Sequence, residues 1–312
     1  MATVRAQLTN LMKVDMDKIL QEAWKGVKYE PILNTLFNTD NSTKKEEQNL
    51  TVGGFGLLDE KDEGADLAER LFKEGYKTTY THKTLGFYAA VSMEARDDEQ
   101  YGAIRKIPQA MTRSVDATIN RHMARIFGLS TSTSEDFITG GDGVALLATN
   151  HPLKISGGTS SNKPSTDADL TATTLWAGVN AFYEMLDDAG KPIANSPKYL
   201  VIPHQTQQKA IELIYSDRFP ESAENATNAL RRAVTLELVV WPYWLGSIDS
   251  DCWFLCADKG ATTDYPLRFY WRMKPATEAD NDFFNKNWLY SLVLRYSLGY
   301  DDWRFVYGSV GA

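Results

Sequence analysis

The stretch from Thr51 to Arg96 constrains this chain more than any other part of it. Glycines at 53, 54, 56, 64, 75 and 86 punctuate it, and tyrosine, threonine and phenylalanine dominate its second half. Aromatic and β-branched residues favour extended backbone, whereas glycine inside such a run marks a bend or a close backbone approach. Long, bent strands are therefore expected. Tyr76 to Ser92 should be extended, with Phe87, Ala89 and Val91 on one face and Tyr88, Ala90 and Ser92 on the other. Between Asp59 and Glu74 seven acids stand against three bases, around a short helix expected near Ala65 to Phe72. The pattern is that of an outlying hairpin with an acidic tip, either a solvated loop or an arm reaching a neighbouring subunit.

The remainder reads as a mixed α+β body. A chain of 312 residues, 43% hydrophobic and 24% charged, has the composition of one large or two moderate globular domains. Its net charge of −8 argues against a surface built to neutralise phosphates. Cys252 and Cys256 lie in an apolar run whose extended backbone holds them too far apart to bridge, so they are expected as small buried hydrophobes in a reducing compartment. The first twenty residues mix charges with apolar side chains and lack a signal-peptide core, and no segment reaches membrane-spanning length.

Leu8, Leu11, Met12, Ile19, Leu20, Ala23 and Trp24 recur at loosely helical spacing and form an amphipathic arm ending near Gly26. The polar run Asn38 to Gln48 is expected as an exposed connection. Pro108 opens the clearest helix, with Met111, Val115, Ile119, Met123 and Ile126 on one face and Gly128 as its stop; Arg113, Arg121 and Arg125 mark the other face. Gly143 to Thr149 is expected as a short strand between turn-rich loops. A second helix is expected from Asp169 towards Leu186, a strand at Tyr199 to Ile202 and a helix at His204 to Tyr215. Strands should follow at Thr235 to Trp241, Cys252 to Ala257, Pro266 to Trp271, Asn287 to Ser297 and Trp303 to Tyr307.

Chemistry is hard to find. The histidines at 82, 122, 151 and 204 have no histidine or cysteine at ligand spacing, and the sequence holds no nucleophile elbow, phosphate loop or dinucleotide fingerprint. No catalytic, cofactor-binding or metal-binding residue is assigned, and no cofactor is expected. His151 with Asp142 is the pair a soluble hydrolase would use; without a nucleophile nearby in sequence, His151 reads as a loop-fixing residue. Asp301-Asp302, after Gly299-Tyr300, fits a turn between strands.

Ala95 to Phe127 (ARDDEQYGAIRKIPQAMTRSVDATINRHMARIF) resembles the major capsid proteins of tailed bacteriophages, especially the Mu-like major head subunit branch. Gly141 to Asn162 (GDGVALLATNHPLKISGGTSSN) is similar to a later segment of that branch, ending in a G-G-T-x-x-N loop. Gly190 to Pro203, Leu236 to Ala257 and Gly299 to Ser309 (GYDDWRFVYGS) follow in the family's order.

The resemblance implies the Hong Kong 97-type capsid fold: an N-terminal arm over 1–49, an extended hairpin called the E-loop over 50–93, and a peripheral domain over 94–168 containing a spine helix at 108–127. An axial domain over 169–275 and a return to the peripheral sheet over 276–312 complete it. It implies a major capsid protein that builds an icosahedral shell of hexamers and pentamers around phage double-stranded DNA, without sequence-specific binding and without a membrane. The portal, a separate scaffolding protein and a decoration protein are the implied partners, and the implied location is the virion, with assembly in the host cytoplasm. Because the arm begins almost at Met1, where many relatives carry a scaffolding propeptide, scaffolding is expected from a separate chain unless this is a processed form. Leu8, Leu11, Leu20, Tyr76, Tyr80, Phe87 and Tyr88 are the candidate intersubunit contacts. Some relatives crosslink an E-loop lysine to a neighbour's asparagine; Lys77 and Lys83 are the candidate lysines, with no acceptor matched. An encapsulin-like compartment of the same fold, holding protein cargo instead of DNA, is the rival reading.

Overall fold

The computed structural model describes residues 18–312 apart from 54–57, 59, 62, 65, 68, 70–72, 99–101, 103, 134–139, 194, 219–226 and 261–264. After a helical segment over 18–24 the chain forms α1 (Tyr29–Leu36), β1 (Asn38–Asn41), β2 (Glu46–Val52), β3 (Glu74–Thr81), β4 (Lys83–Val91), α2 (Met93–Asp97) and α3 (Ile107–Gly128). Then come β5 (His151–Pro152), β6 (Thr159–Ser160), α4 (Ala172–Tyr183), β7 (Pro197–Pro203), α5 (Gln207–Tyr215), α6 (Ala229–Ala233), β8 (Glu237–Trp241) and α7 (Trp244–Ile248). The chain ends with β9 (Trp253–Ala257), β10 (Leu267–Asn281), β11 (Trp288–Tyr300) and β12 (Val306–Ser309).

Two four-stranded sheets carry the body, one in the order β1-β10-β11-β4 and the other β12-β9-β7-β8. The long strand β11 buries Trp288, Tyr290, Leu292, Leu294, Tyr296 and Leu298 with the two-residue period of a half-buried strand. The apolar stripe of α3 is buried as its spacing predicts, with Met111, Val115, Ile119, Met123 and Ile126 at 2% exposure or less. Phe127, at its last turn, meets Trp241 of β8 and Phe254 of β9 at centroid distances of 5.7 and 5.2 Å. One helix thus joins both sheets to a continuous core. In the central strand β9 every residue is buried, Cys256 included, and Cys252 just before it is buried too. Burial pushes both thiols far above their ordinary pKa.

Several expectations give way to tertiary structure. Of the segment expected as arm and exposed connection, residues 28–52 are part of the body, while 1–17 lie outside the described residues: α1 buries Tyr29, Ile32, Leu33 and Leu36, and the Asp116 carboxylate of α3 accepts the Lys28 and Tyr29 amides at 2.8 Å each. The polar run after it forms β1, parallel to β10, and then β2. An edge strand gains its place from backbone hydrogen bonds, which leave no apolar signature.

Residues 143–149 run as bends and irregular chain rather than a strand. The Asn162 side chain donates to Leu146 O at 2.6 Å and accepts from Ala148 N at 3.0 Å, bonds that a neighbouring strand would otherwise make. Extended structure does not run unbroken from Tyr76 to Ser92: it divides at His82 into β3, which pairs with β2, and β4, which pairs with β11. The pairing of the last strands also differs from the expected boundaries. The first sheet is rejoined at Leu267, not at 276, and β12 crosses to pair with β9 in the second sheet. The helix expected near Ala65 to Phe72 falls largely outside the described residues.

Candidate assembly site

The two-stranded ribbon of β2 and β3 is the outlying hairpin, antiparallel from Glu46↔Thr81 to Val52↔Glu74 with an irregularity after Leu50. At that irregularity Thr51 Oγ1 accepts from Tyr76 N at 2.7 Å and donates to Tyr76 O at 3.0 Å. The strands approach so closely that a Cβ at Gly75 would lie 2.3 Å from Thr51 Oγ1, which explains the glycine. Further out, Leu50 and Val52 are 43% and 63% exposed, so part of the ribbon's apolar surface is uncovered.

The base of the ribbon is anchored by one carboxylate. Asp301, just past β11, accepts from Tyr80 Oη at 2.6 Å, Asn49 Nδ2 at 3.0 Å and Arg268 Nε at 3.0 Å. Burial outweighs these hydrogen bonds and holds the Asp301 carboxyl above the ordinary range. Asp301-Asp302 is therefore more than a turn, because it fastens both hairpin strands to β10.

A second clasp sits where the hairpin joins the sheet. His82 Nε2 lies 3.0 Å from Ser42 Oγ, and its Nδ1 2.9 Å from Ser297 Oγ on β11. The only proton of the Ser42 hydroxyl goes to Glu47 Oε1 at 2.7 Å, so Nε2 is the donor to Ser42 and Nδ1 the acceptor from Ser297. Burial, with Arg295 nearby, lowers the His82 pKa and favours this neutral tautomer.

The remote hydrolase pair does come together. His151 Nδ1 lies 2.7 Å from Asp142 Oδ2, and the fully buried imidazole stacks on Trp303 at 4.3 Å. Its Nε2 is buried with no hydrogen-bond partner among the described residues, so no hydroxyl or thiol stands where a nucleophile must. The adjacent cavity, bordered by Tyr76, Asp142, Asp302 and Arg304, holds about 10 Å³, room for a water at most. Arg304 there bridges Asp188 and Asp302 at 2.7 Å each, a buried structural network. Among the described residues no group of three histidine, cysteine, aspartate or glutamate side chains is arranged to hold a metal, and no helix is long and apolar enough to cross a membrane.

The candidate contacts divide. Tyr80 and Leu20 are buried within their own chain, at 4% and 8% exposure, and are corrected to internal residues: the first is held by Asp301, the second covered by the body. Tyr76 is half-buried, with Lys154 Nζ 5.3 Å over its ring. Phe87 and Tyr88, on the sheet strand β4 instead of the ribbon, are 44% and 68% exposed. Leu8 and Leu11 lie outside the described residues. Lys77 is exposed on β3, and Lys83 is half-buried where β4 begins. Sequence reasoning missed Phe283 and Phe284, 78% and 93% exposed at the β10–β11 turn. Their signal was two adjacent phenylalanines inside the polar turn Asp282 to Asn287.

Two sheets share one long helix, and a two-stranded ribbon extends beside them; that architecture is found in shell-building proteins, as its relatives show. Residues 75–309 match the family model described as "Phage capsid protein", and the chain belongs to that family. The fold is the α+β Hong Kong 97 type, and the protein is a major capsid shell protein whose place is the virion capsid. Among solved structures it is similar to the capsid of the cyanophage P-SCSP1u, with 11% identity, 92% of this chain and 88% of that one covered, and a TM-score of 0.56. The capsid of an empty GTA particle matches with 14% identity, 90% and 89% coverage and a TM-score of 0.56. The bacteriophage JBD30 capsid matches with 14% identity, 68% and 90% coverage and a TM-score of 0.52. No protein in the curated comparison matches.

Proposed function

We propose that this protein assembles through hexamers and pentamers into an icosahedral shell around phage double-stranded DNA, with the β2–β3 ribbon as its E-loop. The observation that carries this is the ribbon itself, clasped at its base by Asp301 and His82 yet uncovered at Leu50 and Val52. An isolated two-stranded ribbon is marginal in water, and a neighbour's surface supplies the missing face. The contact joins unlike surfaces, and with a rotation of one-sixth or one-fifth of a turn per copy its repetition closes into the proposed hexamers and pentamers. The sheet of β1, β10, β11 and β4 with α3 would be the peripheral domain, and the sheet of β12, β9, β7 and β8 the axial domain.

The protein acts by assembly and not as an enzyme. The closed surroundings of His151 support that reading, as does the net charge of −8, which suits a wall that encloses DNA without gripping it. The portal and a separate scaffolding protein are its proposed partners, and assembly takes place in the host cytoplasm. A decoration protein joins them, by analogy with a JBD30 capsid described as decorated with minor capsid protein trimers. Electron microscopy of the purified protein, alone and with scaffolding protein, should show shells, rings or tubes; their absence under every assembly condition refutes the proposal.

A further inference from the structure

Two arginines stand together on the outer face of the first sheet. On β11 the side chains of Leu292, Leu294, Tyr296 and Leu298 point into the core, so Arg295 lies on the opposite face, with Ser297 and the His82 ring bonded to it. Arg272 falls at the register irregularity of β10 between Trp271 and Met273, and Met273 is the cross-strand partner of Arg295. The charges of both act on His82. Each arginine is half-buried, and each Nε is buried without a hydrogen-bond partner. Neither makes an ion pair among the described residues, with Asp40 of the adjoining β1 or with any other acid. Glu47, which also faces His82, is taken by Ser42 and Lys44.

Half-buried charges are ordinarily paired, and two of one sign in one place repel, so this site lacks an anion. Approach to it is open. Thr84, the β4 partner of Arg295, is exposed, and Tyr88 further along the same face is 68% exposed. A guanidinium offers two parallel N–H donors, the geometry that a carboxylate accepts best.

Carboxylates are concentrated at one place in this sequence. The hairpin tip between Asp59 and Glu74 has seven acids against three bases, and Glu60, Glu63, Asp66 and Glu69 are exposed there. None of these four is bonded to the arginines of its own chain. The ribbon starts beside His82 and runs from Glu46 to Val52 before the tip begins, a length of about 20 Å for an extended strand. It carries the acids away from the pair at its own root.

We propose that Arg272 and Arg295 form a carboxylate-binding site that takes the acidic hairpin tip of a second copy. The proposal rests on the shell reading, which sets copies side by side, and it names what holds the far end of the ribbon. Tip and sheet are different surfaces, so the contact runs head to tail.

Arg295→Lys tests it in assembled particles, because it puts a reactive amine at the site and keeps the charge. A carbodiimide, which joins an amine to a carboxylate with loss of water, should link position 295 to Glu60, Glu63, Asp66 or Glu69. In particles made from a mixture of light-nitrogen and heavy-nitrogen chains, the linked peptides should combine the two labels. Particles that give no such link, a link within one chain only, or a link to a scaffolding or decoration protein overturn the inference and leave the shell standing. Should Arg295→Lys fail to assemble, charge reversal decides. Arg295→Glu should raise the protein concentration needed for assembly by about tenfold, the scale of one interface hot spot. Adding Glu60→Lys, Glu63→Lys and Asp66→Lys to the same chain should restore it. Assembly of Arg295→Glu at the wild-type concentration, or no rescue, overturns the inference. If the wild-type chain forms no particles, the proposed function fails and this inference fails with it.

Discussion

Tyr80→Phe is the sharpest probe of how the hairpin is held. The substitution removes one hydroxyl and keeps the ring, whose edge-on contact with Tyr270 at 5.2 Å is unaffected. The lost bond is the 2.6 Å donation to the Asp301 carboxylate, whose side chain is 6% exposed. A hydrogen bond to a charged acceptor contributes about 1.5–3 kcal/mol net. Asp301 retains Asn49 and Arg268, so it is not left bare, and a loss of about 1.5–2.5 kcal/mol is expected. At 1.4 kcal/mol per factor of ten, local opening should become about 10- to 60-fold more frequent. Native-state hydrogen exchange at neutral pH reads this directly. Amides of β2 and β3 should lose protection by that factor, while those of β7 and β9, in the other sheet, stay as they are. Unchanged exchange in the ribbon would show that Asp301 does not anchor it; an equal loss in β7 and β9 would show that the ribbon is no separate unit.

Other perturbations test different parts. Asp116→Ala removes the carboxylate that accepts both amides at the start of α1, and should cost about 1–2 kcal/mol in denaturant unfolding, with Asp116→Asn losing less. Burial, with Asp251 beside it, pushes the Asp249 carboxyl up to about 6. Since that lies above the unfolded value, the folded state holds this proton more tightly. Its contribution to stability is present below about pH 4 and is lost as pH rises through about 6. Asp249→Asn should therefore raise the melting temperature at pH 7 and flatten the part of the wild-type profile between pH 4 and 6. A variant melting lower than wild type at pH 7, with the profile unchanged, would refute this. Because no acceptor is matched for Lys77 or Lys83, assembled particles should run as a single 35.0 kDa band on a reducing, denaturing gel; higher covalent bands would establish the crosslink.

Legibility in the sequence followed the range of the interaction. The buried face of α3 could be read from Met111, Val115, Ile119, Met123 and Ile126, because a helix repeats its environment every few residues. The strands of the second sheet were legible for a similar reason, as short apolar runs. β1 was not, since Asn38 to Asn41 pair with Arg268 to Trp271 of β10 through backbone atoms that every residue carries. Tyr80 was expected as an intersubunit contact from the resemblance, which places it on the hairpin; Asp301, 221 residues away, turns it inward. The pairing of His151 with Asp142 needed only a short loop and was foreseen as a possibility. That the pair lacks a nucleophile at Nε2 required the packed surroundings.

By itself, the sequence determined that this chain has a long amphipathic helix, buried strands and extended, glycine-punctuated segments, and the order of its segments pointed to a phage capsid. These properties reside in local periodicity, local charge and neighbouring residue types. The tertiary structure alone decided where the hairpin is clasped, which aromatics face solvent, and which strands complete each sheet. Asp301 meeting Tyr80, His82 meeting Ser297 and β12 crossing to β9 all join residues far apart in the chain. Such contacts are selected by the free energy of the whole packed body and leave no local pattern to read.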